Sequence, residues 1–275
     1  MKLKGIKPKG NDFRPTFFAF PYVAICIIFV IFPLVLVFVY AFISDTTGGF
    51  TLENFAEVFT SANLRLLLKT LGIALITTVV CLVIAYPTAL ILASAPFNKY
   101  VIFALLFIIP MWMNFILRIL ALKELFALLG IQKGLLASII GMVYDFLPFM
   151  LLPIYTVLMD MDKSYLEAST DLGANSMITF FKVTLPLSAK GIVSGITMVF
   201  MPVFSAYAIT DTDMLGDNTT TIIGKTINDL FAGGTTWGGG SALAFVLLIL
   251  VFLTMIISNL LTKERKPKNA KGGAQ

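Results

Sequence analysis

Long apolar stretches separated by shorter polar segments dominate the chain. Six stretches reach the roughly 20 residues that a helix needs to cross a bilayer while its backbone satisfies its own hydrogen bonds. The pattern predicts an all-α polytopic membrane protein with one six-helix domain at residues 17–262, between a basic segment at 1–16 and a basic tail at 263–275. The predicted spans are Phe17–Ile43, Thr70–Leu92, Tyr100–Leu122, Leu135–Met159, Gly191–Thr210 and Ser241–Leu261.

Prolines lie within or beside these apolar runs. A proline removes a backbone donor and kinks or interrupts a helix, which membranes tolerate where neighbouring helices or a wet cavity satisfy the freed groups. We therefore expect a bundle that moves rather than a simple anchor. The prolines concerned are Pro21, Pro33, Pro87, Pro110, Pro148, Pro153 and Pro202.

The composition agrees with a membrane protein and excludes several chemistries. Of the 275 residues, 58% are hydrophobic and 13% are charged, against about a quarter charged in a soluble domain. The chain has no histidine, which excludes His-based triads and His-containing metal sites. Cys26 and Cys81 both lie in apolar runs, where they behave as small apolar side chains.

The basic residues indicate the orientation in the membrane. With the N-terminus inside, fourteen Lys and Arg residues fall on the inner side and five on the outer side. This asymmetry follows the positive-inside rule, so we expect both termini in the cytoplasm and the protein in a bacterial cytoplasmic membrane. It also explains the net charge of +5 without nucleic acid as a partner.

The segment 211–240 is polar and rich in glycine, and it is expected on the outer side. A short helix is predicted around Ile227–Phe231, and the segment is a candidate docking surface for an extracellular partner. It also holds Gly224-Lys225-Thr226, which resembles part of a phosphate-binding loop. Thr219 stands where that loop requires a glycine, so we interpret the resemblance as chance.

The inner segment at 160–187 is long for a helix connection, and loops of this length are often functional. Small residues and Gly173 predict a tight turn between two short helices. Its apolar side chains would be exposed unless another surface covered them. These side chains belong to Leu166, Leu172, Met177, Ile178, Phe180 and Phe181.

The same segment carries the pattern Glu-Ala-small-x3-Gly-x9-Val-x-Leu-Pro, which resembles the "EAA" motif of permease subunits of binding-protein-dependent ABC importers. The matching residues are Glu167, Ala168, Ser169, Gly173, Val183, Leu185 and Pro186. Ser169 stands in place of the usual second alanine. The alternative interpretation, an amphipathic helix lying on the membrane, normally requires a basic polar face, and this segment has few basic residues.

The resemblance implies the type I ABC importer permease fold, which is MetI-like, and a coupling helix at about Tyr165–Phe180 in a groove of an ATPase. The chain itself would bind no cofactor and would not be an enzyme, since ATP and Mg would lie on the ATPase. Implied partners are two ATP-binding subunits, a second permease subunit in a heterodimer and an extracellular substrate-binding protein. The predicted coupling residues are Glu167, Ala168, Ser169, Asp171, Leu172, Gly173, Ala174 and Pro186.

Three further segments, at 110–119, 144–153 and 208–216, resemble permeases of spermidine and putrescine importers. Relatives of that group carry other small cations or iron, so that cargo is an alternative. The resemblance at 209–216 leaves open whether Asp211 or Asp213 matches the family aspartate. The candidate pathway residues are Trp112, Asn114, Tyr144, Asp145, Tyr207, Asp211 and Asp213.

A charge within a span is costly, so Arg118 and Asp145 both require an explanation. Either they form an ion pair within the chain, or Asp145 faces the pathway and attracts a polyamine ammonium. In the second case Trp112, Tyr144 and Tyr207 would offer aromatic faces to the same cation. Each of these aromatic residues also suits ordinary packing or the lipid interface.

Two other classes of function remain as alternatives. An ion-coupled secondary transporter usually shows inverted repeats with matched broken helices, and none is apparent in this sequence. A membrane enzyme would need a catalytic constellation, which a chain without histidine or a clustered Asp/Glu motif does not offer. Gly191 and Gly195 predict a close helix approach, either within this chain or at a subunit interface.

Overall fold

A computed structural model describes residues 15–94, 106–107, 109–233 and 237–262, with side chains from 20 to 257 within those ranges. These residues form helices and connecting turns, with one isolated antiparallel bridge between Ile43 and Phe50. The predicted basic segment at 1–16 lies outside the described residues except for its last two positions, and the basic tail at 263–275 lies wholly outside them.

The first apolar run forms α1 (Pro15–Cys26), a π-helical turn (Ile27–Ile31) and α2 (Phe32–Ala41). In the π turn, the Phe32 amide donates to the Ile27 carbonyl, five residues back. Pro33 follows directly and has no backbone amide to donate. The regular bonds to the carbonyl four residues back are therefore replaced here by a bond to the carbonyl five residues back. The predicted span Phe17–Ile43 is therefore two helices around a π turn, and it ends at Ala41.

The second run extends beyond its prediction. A short helix α3 (Glu53–Val58) leads into α4 (Ser61–Ala93), whose N-cap Thr60 accepts a hydrogen bond from the Asn63 amide. This cap satisfies a free amide of the first turn, so α4 starts at Ser61, nine residues before the predicted Thr70. The helix continues through Pro87.

The third predicted span, Tyr100–Leu122, falls partly outside the described residues. Its described part is a 3₁₀ turn (Ile109–Trp112) followed by α5 (Phe115–Leu128). Asn114 caps α5 by accepting hydrogen bonds from the amides of Ile116 and Leu117 at 2.9 and 3.3 Å. The break at Met113–Asn114 and the extension to Leu128 correct the predicted boundaries.

The fourth run matches its prediction, since α6 spans Leu135–Met159 and continues through Pro148 and Pro153. Both α4 and α10 (Ala189–Ser205) pack along α6. An added Cβ on Gly191 would lie 2.7 Å from the Pro153 carbonyl oxygen, and one on Gly195 would lie 3.0 Å from the Met150 carbonyl. The two glycines therefore serve close packing of α10 on α6 within this chain.

The segment between α6 and α10 contains α7 (Ser164–Asp171), α8 (Ser176–Thr179), a π turn (Phe180–Thr184) and α9 (Leu185–Leu187). In this second π turn, the Leu185 amide donates to the Phe180 carbonyl, and Pro186 follows at once. Both π turns of the described chain thus end two residues before a proline. The predicted pair of short helices is confirmed.

The fifth predicted span, Gly191–Thr210, is interrupted. Helix α10 ends at Ser205, Ala206 is not helical, and α11 covers only Tyr207–Thr210. After a loop, α12 (Ile223–Ala232) contains the helix predicted at Ile227–Phe231, and α13 (Trp237–Thr262) covers the last predicted span.

Two apolar cores hold these helices together. The larger core joins α4, α5, α6 and α10 through buried residues such as Ile73, Met150 and Val199. The smaller core joins α2, α3, α12 and α13 through Ala41, Val58, Ile223, Ala242 and Leu243.

Among the described residues, four helices are long and apolar enough to cross a membrane: Phe20–Ala41, Ser61–Ala93, Leu135–Met159 and Trp237–Ile257. The helical stretches Ser176–Leu187 and Ala189–Ser205 are bent by 62° and give a fifth span if they are counted as one. The predicted count of six therefore stays a prediction, because most of the third predicted span before Ile109 lies outside the described residues.

Candidate functional site

The 160–188 segment, which lies between the end of α6 and the start of α10, is built around the turn at Gly173. Gly173 has φ of +78°, a left-handed conformation that favours glycine, and its amide donates to the Thr170 carbonyl at 2.9 Å. Asn175 then caps α8 by accepting from the Ile178 amide at 2.8 Å. Local sequence thus ends α7 and starts α8 within five residues.

A side-chain hydrogen bond closes the two short helices on each other. The hydroxyls of Ser169 and Thr179 lie 2.8 Å apart, and Ser169 is buried. Ser169 is the residue that stands in place of the second alanine of the motif. The motif indicates only that a small residue belongs at this position, and the hydrogen bond to Thr179, ten positions later, was not predicted.

The α7–α8 pair turns several apolar side chains outward. Leu172 is 88% exposed and Met177 is 66% exposed. Of the predicted coupling residues, Ser169 is buried, Ala174 is half-buried and the others are exposed on the segment: Glu167, Ala168, Asp171, Leu172, Gly173 and Pro186. Exposed apolar side chains on a helix pair of this kind typify a surface that another protein covers.

Asp162 precedes this surface and helps to start α7. Its carboxylate accepts a hydrogen bond from the Ser164 amide at 2.9 Å. This bond holds the pKa of Asp162 below its ordinary value. Asp162 therefore carries a negative charge at the N-terminus of the helix, where the helix dipole favours it.

Within the bundle, Arg118 on α5 forms a salt bridge with Asp145 on α6, and both side chains are buried. The Arg118 guanidinium also donates through Nη1 to the Pro110 carbonyl at 2.8 Å. Its Nε finds no hydrogen-bond partner in the described part of the chain. Of the two interpretations that the sequence left open for Asp145, the structure contains the ion pair.

The other candidate residues of the span region lie in different surroundings. Trp112, in the 3₁₀ turn before α5, is 88% exposed, and Asn114 caps that helix. Tyr144 is exposed although its neighbour Asp145 is buried, because successive helix residues point about 100° apart. Tyr207 is exposed at the start of α11. In the single chain, Asp145 thus does not share a surface with these aromatic side chains.

Asp211 and Asp213 lie in the 211–222 loop, at the end of the bundle opposite the 160–188 segment. The Asp211 carboxylate accepts from the Asp213 amide at 3.0 Å and pairs with Lys225 at 2.9 Å. These contacts lower the pKa of Asp211, and its carboxylate in turn raises the pKa of Lys225. The Asp213 side chain is exposed. The two aspartates therefore have different roles in the loop.

Lysines from other elements hold the same loop. Lys133 donates to the Thr212 carbonyl at 2.7 Å, and Lys69 donates to the Thr219 carbonyl. The Gly134 amide donates to the Leu215 carbonyl at 2.9 Å, and Leu215 itself is buried. These lysines also belong to the outer side in the predicted orientation, but their bonds to the loop were not predicted.

Comparisons with known proteins agree with this architecture. Residues 74–266 match the profile of the family described as binding-protein-dependent transport system inner membrane component. The chain is 34% identical over 236 residues to the spermidine/putrescine transport system permease protein PotB of Salmonella typhimurium strain SL1344, covering 78% of this chain and 82% of that protein. Against PotB of Haemophilus influenzae the identity is 30% over 253 residues, covering 84% and 88%.

Solved structures share the fold. A chain of a bacterial alginate ABC transporter, in complex with its alginate-bound periplasmic protein, superimposes with a TM-score of 0.72 at 12% identity, covering 92% of this chain and 94% of that one. A chain of the methionine ABC transporter MetNI, in an inward-facing conformation, gives 0.60 at 19% identity, covering 74% and 98%. The profile match and the sequence relatives show that the chain belongs to the family of binding-protein-dependent transport system inner membrane components, the permease subunits of ABC importers.

Proposed function

We propose that this permease carries polyamines, spermidine or putrescine, across a bacterial cytoplasmic membrane, driven by ATPase subunits that dock on the 160–188 segment. The observation that carries the docking proposal is the ordered α7–α8 pair, which leaves Glu167, Leu172 and Met177 exposed. The polyamine proposal is supported by the names of the two relatives, which match most of the chain.

In this proposal the 160–188 segment and both termini are cytoplasmic, and the six predicted spans hold. Two ATPase subunits bind ATP and Mg and supply the energy. Leu172 and Met177 enter a groove of one ATPase, and Glu167 makes a polar contact at its rim. Closure of the ATPase pair then biases the bundle between two arrangements.

The remaining partners are a second permease subunit in the membrane and a binding protein on the extracellular side. A second permease subunit completes the pathway, and Trp112, Tyr144 and Tyr207, which are exposed in the single chain, offer aromatic faces to a cation passing between the two subunits. An extracellular binding protein delivers the polyamine to the side that carries the 211–222 loop, where Asp211 and Asp213 supply negative charge.

The docking proposal is tested by co-purification of the tagged chain with its ATPase in gentle detergent. Leu172→Glu should abolish co-purification, because a charge would enter an apolar contact. Leu128→Glu is the matched control, since Leu128 is 85% exposed on α5, at the other end of the bundle. Equal retention of the ATPase by both variants and the parent would contradict the proposal.

The cargo proposal is tested by uptake into vesicles that hold the assembled complex. Radiolabelled putrescine or spermidine should accumulate only with ATP inside and binding protein outside. Unlabelled polyamines should compete for uptake, whereas ferric ion or a monovalent organic cation should not. Uptake of the iron with no uptake of polyamine would instead support the alternative cargo.

The role of Asp145 needs a variant that removes the carboxylate without leaving Arg118 unpaired. The double variant Arg118→Met with Asp145→Leu meets this need. If Asp145 contacts the polyamine, uptake at limiting substrate should fall at least tenfold while the complex still assembles. Unchanged uptake would remove Asp145 from the pathway.

A further inference from the structure

Ser188 lies at the bend between the 160–188 segment and the long helix α10. The helical stretches on its two sides, Ser176–Leu187 and Ala189–Ser205, are bent by 62°. Ser188 is fully buried, although a serine at a helix junction is usually solvated. Its surroundings therefore supply a partner for its hydroxyl.

That partner is Tyr86 on α4, whose hydroxyl oxygen lies 2.9 Å from Ser188 Oγ. Ser188 Oγ also lies 3.1 Å from the Leu185 carbonyl, to which it donates. A serine hydroxyl has one proton, so the Tyr86 hydroxyl must be the donor to Ser188. The resulting chain of bonds runs from α4 through Ser188 to the backbone next to Pro186.

Tyr86 also contacts the other end of the same linker. Its ring packs edge-on against Phe180, with ring centroids 5.7 Å apart and planes at 82°. Phe180 follows α8 directly. A single buried side chain of α4 thus holds both the start and the end of the 180–188 linker, and it lies directly before Pro87.

A displacement of the 160–188 segment also reaches the bundle through α10, which follows the segment directly in the chain. The close approach of Gly191 and Gly195 to α6 leaves no free space there, so the first turns of α10 move only together with α6. The 180–188 linker contains no glycine that would bring its backbone equally close to α4, and Tyr86 supplies a side-chain contact between the two. A displacement of the α7–α8 pair therefore reaches α4 through Tyr86.

We propose that Tyr86 is a positioning residue for energy coupling, and that its bond to Ser188 transmits displacement of the 160–188 segment to α4. This inference rests on the proposed docking of the ATPase at that segment. Without the bond, docking and ATP hydrolysis persist, but α4 follows the segment less closely. The measurable consequence is less polyamine carried for each ATP hydrolysed.

The test compares uptake and ATP hydrolysis in vesicles containing the complete complex, using Tyr86→Phe, which removes one oxygen. We expect polyamine carried per ATP to fall by about three- to tenfold, the range that corresponds to one net hydrogen bond. Ser188→Ala breaks the same bond and also removes the bond to the Leu185 carbonyl, so its loss should be at least as large. The double variant should lose no more than Ser188→Ala alone, since the bond between Tyr86 and Ser188 is then already broken.

Thr88→Val is the matched control, because Thr88 lies two residues away on α4 and, among the described residues, its hydroxyl bonds to the Ile84 carbonyl of its own helix at 2.7 Å. It should leave the ratio unchanged. An unchanged ratio in Tyr86→Phe, an equal loss in Thr88→Val, or additive losses in the double variant would overturn the inference. So would loss of the ATPase from both Tyr86→Phe and Ser188→Ala complexes, since the bond would then serve assembly.

The proposed function is judged on the parent complex in the same experiment. If the parent neither retains the ATPase nor takes up polyamine, the proposed function fails. If the parent does both and Tyr86→Phe matches it, only the role of Tyr86 is refuted.

Discussion

The two ends of the bundle use their polar and apolar side chains in opposite ways. Lys133 and Lys225, from neighbouring elements, bond to residues of the 211–222 loop, and Leu215 of the loop is buried. In the 160–188 segment, Glu167 and Leu172 are exposed. The 211–222 loop is held by contacts within its own chain, whereas the 160–188 segment presents an uncovered surface.

This difference shows that a segment has a defined fold even when its apolar side chains are not buried. The α7–α8 pair has caps, a left-handed turn and a buried hydroxyl pair, so it does not need a partner in order to fold. Its apolar side chains nevertheless face outward, where they gain no burial. Order without burial is typical of a prepared docking surface.

The largest expected effect comes from breaking the internal pairing of charges. Asp145→Asn or Arg118→Met alone should lower the free energy of unfolding by about 3–5 kcal/mol, because each leaves a buried polar or charged group without its partner. Thermal unfolding in detergent measures this effect. The double variant Arg118→Met with Asp145→Leu should recover most of the loss. Single variants as stable as the parent would show that the pair contributes nothing.

The next effect concerns docking. Leu172→Glu should weaken binding of the ATPase by about 2 kcal/mol, or roughly thirtyfold, as expected for a central interface residue. Its thermal stability should match that of the parent, since the side chain is 88% exposed. Leu128→Glu should change neither quantity. A titration of the detergent-solubilised permease with labelled ATPase measures the affinity. Equal affinities of Leu172→Glu and Leu128→Glu for the ATPase would contradict docking at the 160–188 segment.

A smaller effect tests whether the segment is ordered before docking. An alanine at Gly173 meets no atom within 4 Å but must adopt φ of +78°, which costs about 1–2 kcal/mol. Gly72 is the matched control, since an alanine there also meets open space but in a helix, where it stabilises by up to about 1 kcal/mol. Limited proteolysis at 160–188 should therefore quicken in Gly173→Ala and not in Gly72→Ala. Equal cleavage rates would show that the turn is not fixed.

Local features of the fold were predictable from the sequence because they depend on neighbouring residues. The extent of α6, the turn at Gly173 and the helix within Ile223–Ala232 all follow from hydrophobic runs and turn residues that are contiguous in the chain. The motif identified the 160–188 segment for the same reason. What each of these elements contacts was not contained in those signals.

The features that were missed depend on pairs far apart in sequence. The bond between Tyr86 and Ser188 joins residues 102 positions apart, and that between Lys69 and Thr219 joins residues 150 positions apart. Hydrophobic periodicity gives no register between two helices, so neither bond was predictable. The Arg118–Asp145 pair was anticipated as one of two possibilities, because two buried charges of opposite sign require a partner.

The smallest expected effect concerns the ion pair between Lys225 and Asp211, which helps to hold the 211–222 loop. Lys225→Met removes the pairing with Asp211 and should loosen the 211–222 loop by at most about 1 kcal/mol, since both side chains are partly solvated. Hydrogen exchange at the amides of Met214 and Gly216, which bond to the Asp211 carbonyl, measures the change. Lys123→Met is the control, because the described residues give Lys123 no ion pair. Equal exchange in both variants would mean that the lysine contributes only to the charge of that face.

The pH dependence of the same exchange sharpens the result. The pKa of Asp211 is held below its ordinary value of 3.8, mainly by the Asp213 amide and then by Lys225. A lowered carboxyl pKa contributes stability that is fully present above the ordinary pKa and lost as the pH falls through the lowered one. Exchange in the parent should therefore be protected equally at pH 7 and pH 5 and lose protection only below about 4. In Lys225→Met that loss should begin at a higher pH but still occur, because the Asp213 amide remains. A loop that opened between pH 7 and pH 5 would show that another group controls it.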